Sequence, residues 1–539
     1  MIKKKYIALA LLTGFLYRIL ISLQGFDHTD VGFSSTFYQN IFTHPEVMPY
    51  NYNYYLTGLF GGLWQLVFGG AGLLGFRILE AATLTAAIFF VYKTFERQLN
   101  STTTAAIAIL MSFLFPNIVI TFHYNTLTFF FMALAAWCYS KAVYQQKAWL
   151  VFVAGAVLGI CFFARIVNGV LLMVAFIPLL IGAITGTLKT IYKQTVLMLA
   201  GMATGSVAVI ALMAALGHLS YFITGLGDAF GFFNGMETSH SSTNLFLVYF
   251  KGYLNIALQI LALFALCWLY IFSHRFAMKW GVCIRFLLII VTFVLIVTSL
   301  PFLTAVALCT LLCCALFYRA VKMEEKALLA FVLACTFLFP FGSDIGIAGI
   351  FHWIGGMLIV PAAVGLSYIS HDLRRGSVIC SIYIAIVMLF QTIYHPYGEQ
   401  VPRWECTQTI AADCGLNTFV SPQKAADYER SIPTIKQYAG ENPWLVMGNQ
   451  ASEYYYATGL LPFLGNTQMG TYTGNTMLKR LDRQYGIYGQ LPVIVFLTQD
   501  LNMVDGADSV QAALTRWMKG HAYRKVYSDN YMEIYNKTE

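Results

Sequence analysis

Two carboxylates close together, Asp27 and Asp30 in Gly25-Phe26-Asp27-His28-Thr29-Asp30, follow directly on the first long apolar run of the chain, Tyr6 to Leu23. An acid at a membrane exit keeps enough water to stay ionised and can act as a general base toward a hydroxyl. The same pair could instead cap the next helix, toward Ser34 and Ser35, or simply stay solvated. His28 between them adds a nitrogen donor, so Asp27, His28 and Asp30 are also the residues that could hold a divalent metal ion. No other cofactor is implied.

Positive charge is the next signal. Arg77 and Arg165 fall at the predicted outer ends of apolar spans, where the positive-inside bias disfavours basic residues. A lipid phosphate would compensate them through bidentate hydrogen bonds. The alternatives are snorkelling to headgroups, or an ion pair of Arg77 with Glu80 one turn on. Lys251 and His123 are candidates of the same kind. Asn125 and Asn168 begin outer ends of spans and could be caps or substrate contacts. Asp344 lies in a further short outer loop, where turn chemistry explains it equally well. The chain contains no Walker, GxSxG or zincin pattern, so ATP-driven chemistry has no support.

The elements that must position these residues are membrane helices. The 539 residues are 58% hydrophobic and 11% charged, with a mean hydropathy of +0.66, far too apolar for a soluble protein. Windows of apolar residues long enough to cross hydrocarbon number about thirteen. The run after Lys3, Lys4 and Lys5 has no clear cleavage site and reads as an uncleaved first helix. The clusters Lys93/Arg97, Lys141/Lys147, Lys189/Lys193, Arg275/Lys279/Arg285, Arg319/Lys322/Lys326 and Arg374/Arg375 fall at every second connection. All belong on the side of Lys3 to Lys5, the cytoplasm, which sends Asp27 and Asp30 outward. The net charge of +8 is therefore a matter of topology and lipid headgroups, and no nucleic acid is needed to explain it.

Residues 25–75 form a long first outer loop whose Gly-rich end, Leu56 to Gly75, reads as interfacial helix rather than span. A second outer loop, about Gly217 to Lys251, is a candidate lid or substrate wall. Composition changes at His395-Pro396-Tyr397-Gly398 after a last span, Val378 to Ile393. The expected division is thus a membrane module, 1–394, and an outer α/β domain, 395–539. In that domain Pro422 to Gln437 carries helical spacing, and Trp444 to Met447 and Pro492 to Leu497 read as strands. Lys525 to Tyr527 and Tyr531 to Tyr535 read as a hairpin turned by Ser528-Asp529-Asn530. Nine of the 11 cysteines sit in or beside apolar spans, as small hydrophobes do. Cys406 and Cys414 are spaced to close a small loop, which spacing alone does not decide.

This layout resembles the GT-C superfamily of polytopic glycosyltransferases, particularly relatives of protein O-mannosyltransferases and aminoarabinose transferases. The resemblance is carried by Phe26-Asp27-His28-Thr29-Asp30 after the first span, the helix-like Phe33 to Ile41, Tyr54-Tyr55-Leu56-Thr57-Gly58-Leu59 and Gly75-Phe76-Arg77-Ile78-Leu79. It departs at Met48-Pro49-Tyr50-Asn51, which lacks the family's lysine, and in spreading an adjacent acidic pair to Asp-x-x-Asp. These departures suggest a divergent bacterial branch.

The resemblance implies an α-helical membrane protein of the inner membrane, with a cytoplasmic N-terminus and a periplasmic C-terminal domain. It also implies transfer of a sugar from a polyprenyl-phosphate donor to a glycan, lipid or protein acceptor, with Asp30 as base, Asp27 its neighbour, and inversion at the anomeric carbon. Arg77, Arg165 and Lys251 would then meet the lipid phosphate, and His28, His123, Asn125 and Asn168 the substrates. The rivals are a flippase of lipid-linked saccharides and a glycan ligase or polymerase. Transporters favour repeated halves and mid-membrane acids, and the predicted spans show neither.

Overall fold

A computed structural model of the chain describes residues 2–537, save 100, 115–118, 186–187, 234–240, 277, 300–303, 309–321, 344–345, 370–385, 387–388, 391, 395, 411–414, 449, 470–471 and 499–506. Asp344, Cys414 and most of the predicted last span lie outside the described residues.

The first helix, α1 (Ile2–Ser22), has 21 residues, long enough at about 1.5 Å per residue to cross the roughly 30 Å hydrocarbon layer. Leu9, Leu12, Leu16 and Leu20 form its exposed apolar stripe, while Ile7, Ala10, Tyr17 and Ile21 are buried. That pattern is what a helix with one face to lipid requires. There follow α2 (Asp30–Asn40), a 3-10 segment Pro49–Tyr54, α3 (Tyr55–Phe68) and α4 (Gly72–Phe95). The bundle continues with α5 (Thr102–Ser112), α6 (Tyr124–Gln145), α7 (Ala148–Cys161), the 3-10 segment Ile166–Phe176 leading into α8 (Ile177–Thr185), and α9 (Leu188–Ala215). After these come α10 (Leu219–Phe233), α11 (Ser242–Phe272), α12 (Met278–Thr298), α13 (Met323–Leu338) and α14 (Gly356–Ile369).

Among the described residues, 6 helical stretches are long and apolar enough to cross a membrane. The stretch Pro49–Phe95 counts as one of these, but a 3-10 turn at Gly69–Ala71 breaks it. Its first part, α3, has 14 residues, too short for the crossing and of a length suited to the interfacial helix expected there.

The tightest helix pair is α7 with α9. Cβ atoms on Gly155 and Gly159 would lie 2.1 Å from the carbonyl oxygens of Met198 and Met202. On the facing helix, Cβ atoms on Gly201 and Gly205 would meet the carbonyls of Phe152 and Ala156. Two glycines four apart on each helix let the backbones touch, a packing mode suited to lipid, where no hydrophobic effect drives helices together.

A buried ion pair lies inside the bundle. Glu80 lies inside α4, so the acid-free spans expected from sequence do not hold there. It meets Arg18 of α1 at 2.9 Å, with both side chains almost fully buried. Mutual neutralisation is what makes such a pair tolerable between helices. Of the alternatives for Arg77, the ion pair with Glu80 is not made; Glu80 pairs with Arg18 instead. At one end of the bundle the Lys3 ammonium donates to Leu99 O at 2.7 Å and Arg97 stacks over Tyr144 at 4.4 Å. The first acidic loop lies at the other end of α1.

Beyond residue 395 the chain forms β1 (Gln408–Thr409), β2 (Phe419–Val420), α15 (Pro422–Ala439), β3 (Trp444–Met447), α16 (Glu453–Thr458), β4 (Leu461–Pro462), α17 (Gly474–Tyr488), β5 (Val493–Leu497), α18 (Ala507–Gly520), β6 (Tyr523–Ser528) and β7 (Met532–Lys537). The main sheet has the order β4-β3-β5-β7-β6. β3 runs parallel to β4 and β5, and the expected β6–β7 hairpin is antiparallel and closes the far side. Val446, Met447, Val493, Ile494 and Val495 are fully buried in its core.

Candidate functional site

Both acids of the motif are held, but differently. Asp27 accepts from the backbone amides of Asp30 and Val31, each at 3.0 Å, and from the Thr29 hydroxyl at 3.1 Å. It therefore serves the first turn of α2 as a cap serves it. Tyr397 also hydrogen-bonds to Asp27; burial first, and then the charges of Asp27 and Asp30, raise the phenol's pKa well above its ordinary value. Asp30 occupies the first turn of α2, where the helix dipole favours negative charge. It is half-buried, and its Oδ1 accepts from the Gln468 amide at 3.4 Å.

The loop carrying these acids is clamped from two sides. From the bundle, the fully buried Arg77 donates to the carbonyls of Ser22 and Gly25. From the C-terminal domain, Gly25 N donates to Phe419 O at 2.8 Å and Phe419 N to Leu23 O at 3.0 Å. Lys424 donates to Phe26 O at 2.6 Å, sits 4.1 Å from the centre of the Phe26 ring and pairs with Glu399 at 3.3 Å. The His28 Nδ1 is 2.8 Å from Glu453 Oε1 and 3.0 Å from the Tyr428 hydroxyl. The acidic loop is thus the seat on which the C-terminal domain rests.

A second cluster lies around the start of α6. His123 caps that helix through its Nδ1, and burial, then the neighbouring Arg165 charge, pull its pKa down to about 3. At neutral pH it is an uncharged imidazole. Arg165 donates to Asn125 Oδ1 at 3.2 Å and to Phe341 O at 2.9 Å, with the rings of Tyr124 and Phe339 beneath its guanidinium. Asn168 is turned away into the core, donating to Thr128 Oγ1 and Cys161 O. Lys251 is exposed on α11.

The two clusters are joined by aromatic rings. Phe33 of α2 meets Tyr54 edge-on at 5.8 Å, and Tyr54 stacks on Tyr124 at 4.4 Å. Phe33, Ser34, Asn51, Tyr54 and Tyr124 line a narrow cavity of about 10 Å³, room for about one water. Arg165 thus stands at one end of an aromatic wall whose other end, Phe33, follows Asp30 three residues on along α2.

Residues 56–221 match the family of dolichyl-phosphate-mannose-protein mannosyltransferases. The match runs from α3 to the start of α10 and so includes Arg77, His123, Asn125, Arg165 and Asn168. Among solved structures the chain is similar to ArnT from Cupriavidus metallidurans bound to undecaprenyl phosphate, at 12% identity and a TM-score of 0.42, covering 98% of this chain and 97% of that one. The apo state of the same protein gives 12% identity and a TM-score of 0.40 over 98% and 96%. No curated protein sequence matches.

Sequence reasoning overlooked Glu453, Tyr428, Gln468, Tyr397 and Lys424. Tyr397 stood in view inside the His-Pro-Tyr-Gly boundary, and Glu453 ends the Gly448 to Glu453 loop after a strand. Neither carries a motif that announces its partner. Among the described residues no group of three or more His, Cys, Asp and Glu is arranged to hold a metal ion, and Asp27 and His28 are engaged as above.

Proposed function

We propose that this chain transfers a sugar from a polyprenyl-phosphate donor to an acceptor hydroxyl at the outer face of a bacterial inner membrane. Asp30 is the general base. The observation that carries this assignment is the division of labour in the motif: Asp27 is spent on the turn, while Asp30 stands half-buried between the bundle and the C-terminal domain. Asp30 takes the acceptor proton as the hydroxyl oxygen attacks the anomeric carbon, and the lipid phosphate leaves from the opposite face, inverting that centre.

The leaving phosphate needs positive charge rather than a proton. Arg165, at one end of the aromatic wall, supplies it in this reading, together with the exposed Lys251 of α11. Arg77, fully buried and bound to two loop carbonyls, holds the acidic loop in place. The family match over 56–221 supports the reaction class. In this orientation the N-terminus is cytoplasmic, and the membrane module 1–394 carries a periplasmic domain, 395–539.

Membranes carrying wild type or Asp30→Asn, matched for expression, are given a panel of radiolabelled polyprenyl-phosphate sugars. Label should enter an endogenous acceptor with wild type and vanish with Asp30→Asn. Equal incorporation by the two sinks Asp30 as base. Labelled lipid that crosses the bilayer with no transfer from any donor favours a flippase.

A further inference from the structure

The parallel strands of the C-terminal sheet reverse their order at β3, whose neighbours are β4 on one side and β5 on the other. The crevice beyond the carboxyl ends of strands at such a reversal is where open α/β sheets bind ligands. Here the loop leaving β3 leads to Glu453, and the acidic motif fills the position. Ser452 N donates to His28 O at 2.8 Å. A Cβ on Gly32 of α2 would lie 2.1 Å from Glu453 N, so α2 and this loop are in backbone contact.

Glu453 is fully buried. Its Oε1 receives the Tyr428 hydroxyl proton and lies 2.8 Å from His28 Nδ1. Its Oε2 has no hydrogen-bond partner among the described residues. A buried carboxylate with one oxygen unsatisfied is a costly way to hold two domains together. An apolar contact would stabilise the interface more simply. Tyr428 has a single hydroxyl proton and donates it in a hydrogen bond to Glu453. Nδ1 of His28 must therefore carry the proton that faces this carboxylate and phenol. Burial, and then the charge of Glu453, hold the Tyr428 pKa well above its ordinary value, so the phenol keeps that proton. The His28 side chain is 28% exposed, and among the described residues its Nε2 makes no hydrogen bond.

We propose that Glu453 and Tyr428 are positioning residues for catalysis: the C-terminal domain fixes the ring orientation and tautomer of His28, presenting Nε2 as an acceptor to a substrate hydroxyl beside Asp30. The proposal rests on the reading that this motif performs the transfer. A carboxylate that locks one imidazole nitrogen so that the other is offered to a partner is a general device of catalytic and metal sites.

The test is a double-mutant cycle with His28→Ala and Glu453→Gln, together with Tyr428→Phe as a milder variant that keeps the carboxylate. Glu453→Gln should lower kcat by roughly tenfold or more, the order seen when an imidazole loses the group that orients it, with the donor KM unchanged. Tyr428→Phe should lower kcat less. In the His28→Ala background Glu453→Gln should cost nothing further. Amide hydrogen exchange, which needs no activity, should quicken over residues 26–31 in Glu453→Gln.

An equal loss with and without His28, or unchanged exchange over 26–31, overturns the proposal. If Glu453→Gln is not recovered folded, Tyr428→Phe decides through the same two readouts. Should wild type transfer from no donor, the reading of the reaction fails, while the exchange result still decides whether the C-terminal domain fixes the motif.

Discussion

Asp27 and Asp30 have the same chemistry and different employment. A carboxylate that accepts two backbone amides at the start of a helix contributes typically about 1 kcal/mol of stability. Asp27→Ala should therefore lower the unfolding midpoint of the detergent-extracted protein by that order and loosen the start of α2. Asp30→Ala, which removes the helix-dipole contribution and the Gln468 contact, should lower the midpoint less. A midpoint more sensitive to Asp30 than to Asp27 would reverse the assignment. The pair itself was legible, because two acids beside an apolar run are rare enough to notice. Which acid does which task was not, since both are consistent with capping until the amides that point at each are located. Glu453 was illegible for another reason: its partner His28 lies 425 positions away, and nothing local marks a strand-loop acid as part of a distant motif. The Arg18–Glu80 pair was missed because a single arginine inside an apolar run gives no hint of the helix it will face.

At the scale of elements, periodicity succeeded where one face of a segment is buried in a simple way. The strands β3 and β5, the helix α15 and the hairpin β6–β7 stand where alternation and turn residues placed them. The short helix α16 and strand β4, of 6 and 2 residues, were not foreseen, because segments so brief have no period to read. The close crossing of α7 and α9 leads to a sharp expectation. Gly159→Leu must push two backbones apart and should destabilise by about 1–3 kcal/mol or more, with loss of the monodisperse detergent-extracted peak. Gly70→Ala, with open space around it, is the matched control. A wild-type elution profile for Gly159→Leu would refute the contact.

The hairpin turn gives a pH expectation. Partial burial works against charge on Asp529, but the amides of Met532 and Tyr531, the Tyr527 hydroxyl and Arg430 outweigh it and hold the carboxyl below its ordinary value of 3.8. The folded pKa is thus lower than the unfolded one. The stability it lends is complete above 3.8 and is lost as pH falls through the depressed folded value. Amide protection across β6 and β7 should follow that course in wild type, and Asp529→Asn should be weaker at neutral pH and flat over the same acid range. An identical acid profile in the two would show that the turn carboxylate is not responsible.

For the whole molecule, the basic end of α1 and the C-terminal domain lie at opposite ends of the bundle. In the proposed orientation a membrane-impermeant maleimide added to intact cells should label Lys519→Cys and spare Lys4→Cys until the membrane is opened. The exposed Cys267 and Cys283 are replaced by serine in this experiment. Labelling of both from one side would overturn the arrangement.

The pairing of Gly25 with Phe419 and of His28 with Glu453 also sets a timetable. The acids leave the ribosome early, but their partners are the last quarter of the chain to be made. At about 5–20 residues per second, the 425 positions between His28 and Glu453 take on the order of 20 to 85 s to synthesise. Through that interval the nascent chain sits in the bilayer with the motif held from the bundle side alone. On the proposed reading a truncated or stalled product should be inert, with transfer beginning only once translation has ended and the last domain has folded back onto the first loop.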